Sequence, residues 1–148
     1  MDLFNAITGG SAQVWIEYPR HILKPGERIS VKVTVMPRTH FQAGGVYVDL
    51  MASERGYLGM DNECINCNRN FHRSQRNVNN RMYYHSTPLA GPLQFWYNQV
   101  MIFEGTVTIP PNAQPTYLGS FRHEWELRGR VDTFGNDPDS GLQPIVIR

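Results

Sequence analysis

The chain reads as an all-β protein, an antiparallel β-sandwich, on three observations. Two long segments alternate apolar and polar residues with period two and are rich in β-branched side chains. No segment carries a convincing helical period. The prolines and glycines are spread as punctuation between short runs, and nothing repeats at a fixed period.

The elements follow in order. AQVWIEY (12–18) is a strand that Pro19 ends. KPGER is turn chemistry, with Pro25 fixing φ and Gly26 free to take a positive one. In RISVKVTVM (28–36), Ile29, Val31, Val33 and Val35 point one way and Ser30, Lys32 and Thr34 the other. After the turn at Gly44-Gly45, GVYVDLMA (45–52) turns Val46, Val48 and Leu50 inward and Tyr47, Asp49 and Met51 outward. QVMIFEGTVTI (99–109) is a strand in which Gly105 predicts a bulge or bend. FRHEWELRGRV (121–131) is the clearest strand, about 35 Å long at about 3.3 Å per residue. Phe121, His123, Trp125, Leu127, Gly129 and Val131 share one face, and Arg122, Glu124, Glu126, Arg128 and Arg130 share the other. PIVI (144–147) closes the chain as a short strand.

Two connections stand out. From Arg55 to about Gly91 the sequence is polar and rich in asparagine, which predicts one long loop, functional or mobile, with room for a strand around Arg81–His85. TIPPNAQPTYLG has the opposite character. Pro110 and Pro111 cannot donate to a β ladder, so the strand before them stops. The expected result is a rigid arch, pinned by Tyr117 and Leu118, between strands that change sheet.

With 148 residues, 41% hydrophobic and 18% charged, the chain has the size and composition of a single domain, 1–148. A formal charge of +1 provides no global field for nucleic acid or an anionic membrane. No apolar run approaches the roughly 20 residues that span a bilayer. The N-terminus lacks the pattern of a signal peptide, and two cysteines three apart are no framework of disulfides. A cytoplasmic protein is expected.

Several motifs invite chemistry. Cys64-Ile-Asn-Cys67 has the gap with which two thiolates bind one zinc ion, and His72 and His85 are the nearest further ligands. The two histidines are too widely spaced for a zinc finger, and the βαβ setting of a redox pair is absent, so two incidental cysteines are the preferred reading and zinc the alternative. Arg69, Arg73, Arg76 and Arg81 among Phe71, Tyr83 and Tyr84 could grip single-stranded nucleic acid, but Asp61 and Glu63 dilute the charge and a solvated loop is preferred. Asp132, Asp137 and Asp139 suggest calcium, yet the twelve-residue loop pattern is missing and NDPDSG is turn sequence. His123 lies on the opposite face from Glu124 and Glu126, so these three do not converge as an acid/base group. No nucleophile motif or phosphate loop is visible, and no enzyme is expected.

The succession of PGE before a strand, a VYVDL strand, TIPPNAQPTY-G, a long strand EWELRGRVD and a terminal QPIVI resembles the N-terminal domain of arrestins and arrestin-like proteins. Relatives of that build include a retromer coat subunit and bacterial sporulation-control proteins. The resemblance spans about Val14 to Ile147 and is strongest over Phe103–Trp125. It implies an immunoglobulin-like, arrestin-like sandwich that works as a non-enzymatic adaptor binding a partner protein. One sandwich is present where the family has two, and the stretch before Ala12 lacks paired lysines, so no phosphate-sensing role is carried over. The wet face with Arg122, Glu124, Glu126, Arg128 and Arg130 is the expected partner surface, and a free strand edge could support a homodimer. No cofactor is expected beyond the zinc alternative.

Overall fold

Period-two alternation becomes a layered structure because each strand has one apolar face to cover. In the computed structural model, which describes residues 10–58 and 76–148, β1 (Ala12–Glu17), β2 (Arg28–Pro37) and β7 (Met101–Thr108) form a three-stranded sheet in the order β1-β2-β7. The facing sheet has the order β10-β9-β4-β5, from β4 (Gly45–Leu58), β5 (Arg76–Ala90), β9 (Phe121–Asp132) and β10 (Gln143–Ile145), with β8 (Tyr117–Leu118) also paired to β9. A small two-stranded sheet joins β3 (Phe41–Ala43) to β6 (Leu93–Phe95). Every strand pairing is antiparallel, and no helix occurs among the described residues.

The core is what the alternation promised. Val14 and Ile16 of β1, Ile29, Val31, Val33 and Val35 of β2, and Val107 of β7 meet Val46, Val48 and Leu50 of β4 and Trp125, Leu127 and Val131 of β9. Phe95 closes one end, stacked on Phe41 at 4.9 Å and edge-on to Phe103 at 6.0 Å. Aromatic pairs of this kind add to what area burial alone contributes. The C-terminus is stitched to the segment after β1, Leu23 N donating to Val146 O (2.8 Å) and Arg148 N to Leu23 O (2.9 Å).

Four expectations are corrected. The described parts of the polar stretch are ribbon rather than loop: β4 runs on to Leu58, and β5 covers Arg76–Ala90, which takes in the strand expected around Arg81–His85. A ladder is held by backbone groups, and at the sheet edge Arg81, Met82, Tyr84 and His85 are exposed, so no apolar alternation marked this strand. Asp49 and Met51 do point away from the core, yet both are buried beneath neighbouring side chains.

Gly105 makes no bulge, because β7 keeps an unbroken register against β2, with Val31 opposite Gly105. Its hydrogen faces the Leu89 side chain, and a Cβ there would collide with Leu89 Cδ2. Gly105→Ala is expected to cost about 1 kcal/mol in urea melts, as modest overpacking does. Combined with Leu89→Ala it should cost less than the sum of the two single changes.

The proline arch does carry the chain from one sheet to the other, but Tyr117 and Leu118 do not pin it; both are exposed. Ile109 and Ala113 are buried instead, and the Trp125 indole Nε1–H donates to Gln114 O at 2.8 Å. Gly26, at φ 82°, forms the turn beneath, its N–H donating to Ile109 O at 3.0 Å.

Candidate functional site

The outer face of the five-stranded sheet carries most of the charge that the sequence set aside. Register places Asp49 between Arg128 of β9 and Ser86 of β5, Met51 between Glu126 and Tyr84, and Ser53 between Glu124 and Arg81. Arg122, Glu124, Glu126, Arg128 and Arg130 share this face, as alternation requires, but they divide into two groups.

The first group is structural. Asp49 has no exposure to solvent. Its Oδ2 accepts from Arg128 Nε (3.0 Å) and Nη2 (2.8 Å) and from Arg130 Nε (3.0 Å), and its Oδ1 accepts from Ser86 Oγ at 2.6 Å. Arg130 also donates to Asp137 at 3.2 Å and lies over the Tyr47 ring at 4.8 Å. Burial alone would raise the Asp49 carboxyl, but the hydrogen bonds from Ser86, Arg130 and Arg128 outweigh it and hold the group below the usual carboxylate range. Burial also works against the charge on Arg128 and Arg130, yet Asp49 drives both further above the ordinary arginine range. Two arginines around one buried carboxylate clamp β4 to β9.

The second group is looser. Arg122 stands 3.6 Å from Glu124 and Arg55 stands 3.8 Å from Glu126, each arginine exposed and each glutamate partly buried. Arg81 lies over the Tyr84 ring at 5.0 Å. Burial pushes the Glu126 carboxyl up, partly relieved by Arg55. Between these side chains lies a groove of about 370 Å³ lined by Met51, Ala52, Ser53, Arg55, Arg81, Glu126, Arg128 and Leu142. The Ser53 hydroxyl is buried there with no hydrogen-bond partner among the described residues.

The other sheet presents a bare edge. Among the described residues β7 pairs only with β2, over eight residues without proline or register shift. The remaining edges are blunted. β5 carries Pro88 and a register shift at Ala52/Ser53, β10 has three residues, and β1 runs into Pro19. Beside β7, Trp96, Tyr97, Val100 and Ile102 are more than half exposed. The turn holding them is fixed by Tyr97 N donating to His40 Nδ1 at 3.0 Å and by Asn98 at φ 62°, a conformation asparagine tolerates.

The remaining candidates place as follows. Cys64, Cys67 and His72 lie outside the described residues, as do Arg69, Arg73, Phe71, Asp61 and Glu63. His85 stands opposite Leu50, exposed on β5. Among the described residues no three His, Cys, Asp or Glu side chains are grouped to hold a metal ion. Asp137 and Asp139 cap their own loop, accepting from Thr133 N (2.9 Å) and Gly141 N (2.7 Å). His123 is buried edge-on to Trp125, and its neighbour across the ladder is Glu54, 3.5 Å away. Sequence reasoning missed Asp49, Ser53, Glu54 and Arg55. The one signal was a carboxylate at the middle of the otherwise apolar run VYVDLMA.

Comparison with known proteins bears on the fold. No protein-family model and no curated protein matches the chain. Among solved structures, the chain is similar to Spo0M, a sporulation control protein from Bacillus subtilis, with a TM-score of 0.65 and 20% sequence identity over 94% of this chain. The match takes in 50% of Spo0M, so the chain spans half of that protein's length. The C-terminal domain of wzt is also similar, with a TM-score of 0.48 and 8% identity, covering 96% of this chain and 76% of that one. The sandwich is arrestin-like, as the resemblance implied. No helix among the described residues is long and apolar enough to cross a membrane.

Proposed function

We propose that the chain is a non-enzymatic, cytoplasmic adaptor module that takes up an extended segment of a partner protein along β7. The observation that carries this reading is the unprotected β7 edge flanked by exposed Trp96, Tyr97, Val100 and Ile102. Unpaired N–H and C=O groups supply affinity to any added strand, and the adjacent apolar side chains supply selectivity. The arrestin-like sandwich suits this use because two covered sheets hold the edge in a fixed shape.

Selection of a displayed peptide library, followed by amide-shift mapping on labelled protein, tests the reading. The expected binders are extended, with alternating apolar residues, and perturb Met101–Thr108. Ile102→Lys, at an exposed position, is expected to leave stability within about 0.5 kcal/mol. It should weaken those binders at least about tenfold. Binders that map to another surface, or that ignore this substitution, would refute the edge. Light scattering that finds a dimer lost in Ile102→Lys would assign the edge to a second copy of the chain instead.

A further inference from the structure

We propose that the groove on the outer face of the large sheet, between Arg55, Arg81 and Arg128, binds the carboxylate side chain of an acidic peptide. This site lies on the opposite sheet from β7 and does not depend on the strand-addition reading.

Donors outnumber acceptors in the groove. Among the described residues of the lining, Arg55, Arg81 and Arg128 contribute three guanidinium groups and Glu126 is the one carboxylate. Asp49 sits beneath and is already divided between Arg128 and Arg130. Arg128 spends its Nε and Nη2 on that carboxylate. Arg55 reaches Glu126 only at 3.8 Å, longer than a good charge-assisted hydrogen bond. Arg81 makes no ion pair among the described residues and rests on the Tyr84 ring, a position from which a guanidinium can swing to an incoming anion. The Ser53 hydroxyl, without a partner among the described residues, is a further donor in the lining.

The remaining lining selects among anions. Met51 is buried at the floor and Leu142 is 42% exposed at the rim, which favours a charged group on an apolar stem over a free ion. About 370 Å³ lies near the lower end of ligand sites, room for one or two side chains rather than a cofactor. Glu126 leaves a small positive excess, suited to a singly charged carboxylate and less to a doubly charged phosphate.

Glu126 is then an internal competitor, and this gives the proposal its signature. The probe is the peptide acetyl-Gly-Glu-Leu-Glu-Gly-amide, titrated into labelled full chain, against its Gln-for-Glu counterpart and inorganic phosphate. The expected shifts fall on the amides of Met51–Arg55, Arg81–Tyr84 and Glu126–Arg128, with the acidic peptide only. Arg81→Gln should weaken binding about tenfold, the loss of one hydrogen bond to a charged group. Glu126→Gln should tighten it severalfold, an effect that a merely structural glutamate would not produce. Raising the salt from low to near-molar concentration should also weaken it. Equal binding of the Gln peptide, tighter binding of phosphate at the same amides, no shift in the groove, or a Glu126→Gln variant that binds no better would each overturn the proposal. Binders of the β7 edge would be unaffected by either substitution, so the two readings fail separately.

Discussion

Asp49→Ala lowers the unfolding free energy by about 3–5 kcal/mol, the expected cost of removing one partner from a buried ion pair. The size follows from what remains behind. Arg128 and Arg130 keep their charges, now facing each other with side chains only 24% and 18% exposed. Ser86 loses its acceptor as well. Urea unfolding at neutral pH measures the loss, and Asp49→Asn should retain part of it by still accepting hydrogen bonds.

Acid provides a second check with a definite sign. The Asp49 carboxyl is held below its ordinary value in the folded protein. Its contribution is therefore complete above the unfolded value of about 3.9 and is lost as pH falls through that value toward the folded one. The difference between the native chain and Asp49→Asn should shrink as urea melts move from neutral pH to below about pH 4. A difference that stayed constant over that range would show that the carboxylate charge is not what holds the cluster.

Trp125→Ala is expected to cost about 3–5 kcal/mol, the usual range for truncating a large buried aromatic. Three separate contacts meet at this residue. Its ring packs beside Tyr83 at 5.5 Å and His123 at 5.8 Å, and its indole N–H donates to Gln114 O. The side chain therefore ties β5, β9 and the proline arch to one another. Trp125→Phe separates the effects. It keeps most of the buried area but loses the hydrogen bond and leaves the Gln114 carbonyl to water, about 1 kcal/mol. Hydrogen exchange reads the location: Trp125→Phe should speed exchange at Ala113 and Thr116, whose N–H groups donate to Pro110 O and Ile147 O, more than at β2. Uniform acceleration throughout the chain would mean that the arch has no local anchor.

The strands with one covered face were legible from the residues alone. In β2 and β9 the alternation of apolar and polar side chains is the burial pattern itself, and the prolines after Thr108 stop β7 where they stand. Of β5 only the segment around Arg81–His85 was offered as a strand and the rest was read as loop, because an exposed edge strand is held by backbone bonds that leave little mark on side-chain choice. β3, β6 and β8 are only three, three and two residues long, too short for any period to register.

The candidate site divides along the same line. The sequence placed Arg122, Glu124, Glu126, Arg128 and Arg130 on one face. It could not show that Asp49 on β4, steadied by Ser86 on β5, would claim Arg128 and Arg130 and leave Arg55, Arg81 and Glu126 around a groove.

Alone, then, the residues settle which side of each strand is dry, because burial acts on each side chain through its own chemistry. Which charges neutralise one another across β4 and β9 is settled by register between residues 71 to 81 positions apart in the chain. Coulomb attraction and hydrogen bonding depend on distances across strands, and those distances exist only once the sheets have paired.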